Sequence, residues 1–256
     1  MAGFLVSPHG CAVPRRRSGT ATLSCINAEP PAEAQVSGTY RGEESARPVV
    51  PGMGRRSPGS TPAGRRSRDR ILRASLGLIT EVGIDQVRLA EIARRAEMSS
   101  GQVIYYFSSK EHILLETLAW REQQETAERR SALPRAAPGW PRLELFVDLY
   151  LPSSLTDSVW ILWMEAWARA SHSAEVSLFL DTLMRPWRED LAEIVDQGIA
   201  EGVFRAPGPG DDFPLRFCAV LDGLSVLQLR QMPDLPPGRL TELAMNSAHA
   251  ELGPGR

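Results

Sequence analysis

Two helix-start signals lying close together constrain this chain most. Ser99-x-x-Gln102 and Ser108-x-x-Glu111 each have the form of a capping box: a hydroxyl that accepts from the first turn, and a side chain that reaches back. A helix begins at each, so the first has room for barely two turns. Upstream, Leu89, Ile92, Ala93 and Ala96 recur at helical spacing. Before them Ile71, Leu72, Ser75, Leu78, Ile79 and Val82 do the same, and Gly83 closes that run. Residues 70–110 therefore predict three short helices, a tight turn between the second and third, and the start of a fourth. Two helices joined by a short turn, the second brief and rich in hydroxyls and amides, form the helix-turn-helix pattern.

In the short helix, Val103, Ile104 and Phe107 are expected to face inward, leaving Ser100, Gln102, Tyr105 and Tyr106 for other work. On this reading residues 99–107 enter a DNA major groove. The Gln102 amide offers a donor and an acceptor together and suits a base edge. Tyr105 reads a base or stacks on a sugar, while Tyr106 and the serine hydroxyls suit phosphate oxygens. The amides opening the fourth helix also favour an anion. The alternative is that Tyr105-Tyr106-Phe107 is ordinary core. It would need two adjacent tyrosines to share a slot that Phe107 already fills behind Val103 and Ile104.

Gly83, the run 89–96 (Leu-Ala-Glu-Ile-Ala-Arg-Arg-Ala) and the run 99–111 (Ser-Ser-Gly-Gln-Val-Ile-Tyr-Tyr-Phe-Ser-Ser-Lys-Glu) resemble the DNA-binding domain of the TetR family of transcriptional regulators. The resemblance implies a homodimer, a mostly helical ligand-sensing body, and repression of a double-stranded DNA operator relieved by a small-molecule effector. By position it implies DNA contacts from Arg88, Ser99, Ser100, Gly101, Gln102, Tyr105, Tyr106 and Lys110, with Gln102 and Tyr105 on bases and Tyr106 and Lys110 on phosphates. Two positions depart from the family pattern. Arg88 stands where threonine is frequent, and Glu97 where the turn often has glycine. An arginine still reaches a phosphate. A glutamate facing DNA would be repelled, so Glu97 is expected to point away or the turn to differ.

Charge divides the chain along the same lines. Residues 1–66 carry +5, residues 67–110 +2 and residues 111–256 −9, for a net −2. An acidic body behind a basic front orients the front toward a polyanion. The one lysine of the chain, Lys110, falls at the expected phosphate position. Residues 1–65 are rich in Pro, Gly, Ser, Ala and Arg with no sustained period, and are expected to be disordered. They read as a solvated linker, with a phosphate-touching arm as the alternative and a translation start near Met53 as another. The apolar stretch at the N-terminus precedes its arginines, the reverse of a secretory signal. No apolar run approaches a membrane span. Cys11, Cys25 and Cys218 are scattered, with no metal or disulfide spacing, which suits a cytoplasmic protein.

The expected domains are thus a tail (1–65), a helix-turn-helix domain (66–112) and an all-α sensing and dimerisation body (113–256). Helix four should span 109–130, with Ile113, Leu114, Leu118 and Ala127 inward and Glu116, Glu122, Glu125, Glu128 and Arg129 outward. A loop then leads to a helix starting at Pro141. Trp160, Trp163, Met164 and Trp167 share one helix face, and the next long helix adds Phe179, Leu183, Met184 and Trp187, with Pro186 inside it. Together with Phe217 and Leu221 they form a candidate ligand pocket, oriented by polar groups such as Glu165, His172 or Asp222. Tryptophan faces would also accept a cation. A tryptophan stripe as plain core is the simpler alternative. This half also resembles the sensing domain of the BetI-type subgroup, diffusely.

The last two helices carry Val220, Leu224, Leu227, Leu240 and Leu243, which by resemblance form a four-helix contact with a second subunit. A single short recognition helix reads too few base pairs for useful specificity, which argues for a dimer independently. No catalytic set, metal cluster or phosphate loop is recognisable, and neither enzyme activity nor a cofactor is expected. The rival reading is a helical small-molecule-binding protein that does not bind DNA.

Overall fold

The computed structural model describes residues 61–208, 212–230, 236 and 238–253. Residues 1–60 of the expected tail, with the alternative start at Met53, lie outside them, whereas residues 62–65, expected to be disordered, open the first helix. Among the described residues the chain builds nine α-helices and one short 3₁₀ turn.

The first helix, α1 (Pro62–Val82), starts earlier than its apolar period suggests. The Thr61 hydroxyl accepts from the Gly64 N–H at 3.1 Å, and Pro62 supplies the fixed φ of a first helical residue. Ile71, Leu72, Ser75 and Ile79 are fully buried, but Val82 is exposed, because the chain turns away at Gly83 before its face meets the core. The next two are short: α2 (Leu89–Arg95) and α3 (Ser100–Tyr106). Between them Glu97 adopts φ 54°, the one positive φ outside glycine among the described residues. Arg70 of α1 holds that turn, its Nε donating to the Ala96 carbonyl (3.0 Å) and its Nη2 to that of Glu97 (2.8 Å).

Helix α4 (Lys110–Ala132) begins one residue later than the second capping box predicts. Ser109, not Ser108, accepts from the His112 N–H at 3.0 Å, and the Ser108 N–H donates instead to His112 Nδ1. This helix is the spine, packed against α1, α6 and α7. Its residues 112–118 are all buried. Three charges expected outside, Glu116, Glu122 and Arg129, are 5%, 4% and 1% exposed, whereas Ala127 faces solvent. An apolar stripe assumes one buried face, and a helix surrounded by three others has more than one. Each buried charge finds company. Glu116 pairs with Arg68, and Glu122 accepts from two indoles. Arg129 donates to Asp190 at 2.6 Å while its guanidinium lies 3.7 Å from the centre of the Trp187 ring. Burial pulls the Arg129 pKa down from its usual value, with Asp190 opposing.

Around this spine stand α5 (Trp140–Tyr150), α6 (Ser158–Ala170) and α7 (Ala174–Ala200). Pro186 withdraws one N–H from the α7 ladder. After α7 the chain folds back and lays Phe204 over Gly198, where any Cβ would lie 2.1 Å from the ring. The last pair, α8 (Phe213–Leu229) and α9 (Arg239–Leu252), pack on each other, α8 also on α7 and α9 on α5.

Two outcomes test this account. Glu97→Gly removes a left-handed penalty of about 1 kcal/mol and should raise the melting temperature by about 2–4 °C, read by circular dichroism. Asp190→Ala strands a buried guanidinium and should cost about 3–5 kcal/mol in urea unfolding at fixed protein concentration. Arg129→Met, which leaves Asp190 paired with Arg130, should cost clearly less; equal losses would show that the damage does not come mainly from the stranded charge.

Candidate nucleic-acid interface and aromatic cavity

The α3 surface follows from how the helix is held. Val103 and Phe107 are buried, and the Ser99 hydroxyl and Gln102 carboxamide form the expected capping box. The Ser99 N–H donates to Gln102 Oε1 at 2.9 Å. That bond takes one lone pair of the amide oxygen and turns it toward the helix start, so the N–H donors of Gln102 are the groups left free of the cap. Ser100, Gly101 and Gln102 are exposed, and so is Tyr105, at 68%. Ile104, expected inward, is 57% exposed. Tyr106 is half-buried against the core, with Tyr105 edge-on to its ring at 5.3 Å. Its side chain serves packing before any phosphate.

Arg88 is exposed at the N-cap of α2, where its backbone N–H donates to Glu91 Oε2. Lys110 is exposed, and it turns back onto the chain. Its ammonium donates to the carbonyl of Asp85 at 2.9 Å, with that of Ile84 at 3.4 Å, so it pins the loop between α1 and α2. The same loop is gripped from α6. Glu165 Oε1 accepts from the Ile84 N–H at 3.3 Å, and Arg169 pairs with Asp85 at 3.0 Å and with Glu165. Glu165, expected to orient a ligand, instead faces this loop, and His172 is exposed beside Ser171.

The other face of α6 borders a half-open pocket, about 450 Å³ of empty space that includes the solvent at its mouth. Trp160, Trp163, Trp167 and Trp187 line it together with Tyr150, Leu149, Leu151, Val159 and Met184. Met164, Phe179, Leu183, Phe217 and Leu221, expected in the pocket, are not among its walls. Met164 is turned outward, and the other four are spent on packing between helices. Tyr150 is a wall that the sequence does not announce, because α5 supplies it from outside the tryptophan stripe.

Four carboxylates line the cavity, Glu122, Glu125, Asp157 and Asp222, and no basic side chain does. Two are already occupied. Glu125 pairs with Arg121, and Asp157 caps α6, accepting from the N–H groups of Val159 (3.0 Å) and Trp160 (3.3 Å). Glu122 is different. One oxygen accepts from Trp163 Nε1 at 2.7 Å and the other from Trp187 Nε1 at 3.0 Å. Burial raises its pKa, and the two indole bonds oppose that rise. Asp222 accepts from the Tyr150 hydroxyl at 2.7 Å and is pushed up to about 6 by burial. This is a space with aromatic walls and two carboxylates whose hydrogen bonds come from neutral donors, with the Arg129 and Arg188 charges favouring their ionised forms. Such a space favours a positively charged guest.

At the far end, Leu240 is buried within the chain itself, packed in the α5, α8 and α9 layer, and is not available to a partner as expected. Val220 remains exposed, and Leu224, Leu227 and Leu243 are half-buried. A Cβ on Gly223, beside Leu224, would meet nothing within 4 Å. The α8 helix therefore keeps an open apolar face.

Comparison with known proteins agrees with both halves. Residues 71–117 match the profile described as bacterial regulatory proteins, tetR family, and residues 141–253 match that of the BetI-type transcriptional repressor, C-terminal. The HTH-type transcriptional regulator BetI of Stenotrophomonas maltophilia is 29% identical over 113 residues, 43% of this chain and 57% of that protein. The Cronobacter sakazakii regulator of the same name is 27% identical over 112 residues, 43% of this chain and 55% of its own length. The chain thus spans little more than half the length of these relatives. A transcriptional regulator from Saccharomonospora viridis, solved in complex with choline, superposes with TM-score 0.67 at 25% identity, over 73% of this chain and 98% of that one. The Bacillus subtilis regulator FadR, solved with stearoyl-CoA, shares the fold alone, with TM-score 0.60 at 18% identity over 73% and 98%. The helix-turn-helix unit thus matches one profile of the TetR family of transcriptional regulators and the helical body matches another, so both halves of the chain are similar to that family.

Proposed function

We propose that the protein is a sequence-specific DNA-binding regulator, a cytoplasmic homodimeric repressor whose effector is a small organic cation. The observation that carries this reading is that α6 belongs to both sites. Trp160, Trp163 and Trp167 on this helix wall the cavity, while Glu165 and Arg169 on the same helix hold the loop that carries the polypeptide into α2. A guest that repositions α6 therefore acts on the reading unit through Ile84 and Asp85 as well as through α4. Ligand and operator then favour different arrangements of one equilibrium. The apolar face of α8 supplies a contact for a second copy, which sets the spacing of two half-sites.

The chemistry of the cavity supports the effector class. A cation is drawn to the tryptophan faces and to the buried Glu122 carboxylate, and Asp222 with Tyr150 takes a donor at the other pole. Choline, the ligand of the related S. viridis regulator, combines a quaternary ammonium with a hydroxyl. It serves as the first probe.

For the DNA side, gel-shift of the purified full chain against DNA upstream of its own coding region, with competitor and at two salt concentrations, should give a specific shift. Tyr105→Ala should weaken it by about tenfold or more while leaving the thermal melt unchanged. Retained choline binding with no specific shift on a genomic fragment pool would favour the rival small-molecule binder.

For the effector side, titration calorimetry should show choline binding that Glu122→Gln weakens by about tenfold, the scale of one desolvated charge contact. The pH dependence has a defined sign. Asp222 titrates near 6 in the fold and near its ordinary 3.8 when unfolded, so the folded state holds the extra proton between these values. Without ligand, this group's contribution to stability falls as pH rises through that window. Choline keeps its charge throughout, so its affinity should rise from pH 5 to pH 7, and Asp222→Asn should flatten the rise. Affinity independent of pH in the unaltered protein would remove Asp222 from the site.

A further inference from the structure

We infer that Ile104 is a specificity-determining residue that packs against the 5-methyl group of a thymine, an inference that rests on the DNA-binding reading above. On a helix of 100° per residue, Ser100, Gly101, Ile104 and Tyr105 fall within an arc of about 140°. The structure leaves all four exposed, with Val103 and Phe107 turned to the core. A single exposed isoleucine on a protein surface needs no explanation. This one stands in the middle of the face that the short helix offers, beside Tyr105, on an element made rigid by its capping box and by the Arg70 clamp on the preceding turn.

The side chain has neither donor nor acceptor, so it holds no phosphate and reads no polar base edge. Among the major-groove edges, thymine alone presents an apolar group. One turn back lies Gly101, whose missing Cβ would meet only the Ser99 hydroxyl at 3.9 Å. No side chain there screens Ile104 from an approaching base. Gln102 narrows the readout further. With Oε1 turned to the Ser99 N–H, its free amide hydrogens suit an acceptor, such as guanine N7 or O6, thymine O4 or adenine N7. The half-site then contains a thymine under Ile104 and an acceptor-presenting base under Gln102.

The test selects duplexes from a randomised pool with the full-length protein, then replaces each thymine of the enriched motif by deoxyuridine, which lacks only the methyl. One position in each half-site should lose affinity about fourfold, the worth of one buried methyl. Ile104→Ala should bind the thymine and deoxyuridine duplexes alike while keeping the salt dependence of the unaltered protein. A motif that tolerates deoxyuridine at every position, or a penalty that persists in Ile104→Ala, overturns the assignment. A pool that yields no motif at all overturns the DNA-binding reading, and this inference with it.

Discussion

The interior is organised around one carboxylate. Glu122 on α4 is buried, and its two oxygens take the indole N–H groups of Trp163 on α6 and Trp187 on α7. An ionised carboxylate in such a place is costly unless donors meet it. Here the donors come from two further helices, so the requirement to satisfy one group fixes the mutual rotation of three. The same bonds hold Trp163 and Trp187 in the wall of the pocket. The walls of the binding space and the packing of the body thus have one physical origin.

A second buried charge supports the first from behind. Arg129 lies over the Trp187 ring and donates to Asp190. Its positive charge favours the ionised form of Glu122, against the burial that raises that group's pKa. Asp190 in turn takes Arg130 at 3.0 Å. The terminal nitrogens of Arg129 have no hydrogen-bond partner, so the ring face is their compensation. Polar groups are concentrated along α4 because the helix has neighbours on several sides, and charges placed there must be paired in place.

Transmission in this protein is a matter of short connections. From the Trp163 ring to Glu165 is two residues along α6, and from Glu165 to the Ile84 N–H is one hydrogen bond. Arg169 and Lys110 hold Asp85 of the same loop, from α6 and α4. Lys110 therefore joins the reading unit to the spine. It lies exposed at the front of α4, and its ammonium donates to the two loop carbonyls.

The sequence by itself determined the elements and their order. Capping residues, glycine stops and apolar spacing are local, and the helices of the reading unit, the tryptophan helix and the closing pair follow from them. It also located the short exposed helix and three of the tryptophans on one face. Only the tertiary structure decided which faces of those helices are inside. Ile104 falls at core spacing yet is exposed, because Val103 and Phe107 already complete the α3 contact. Glu122 and Arg129 read as solvent-facing yet are central, because periodicity registers one buried face and α4 is enclosed by α1, α6 and α7. Tyr150 and Asp222 meet across 72 positions of sequence, a distance over which no local pattern has information. What a residue is capable of is written in its chemistry; what surrounds it is set by the packing of helices remote in the chain.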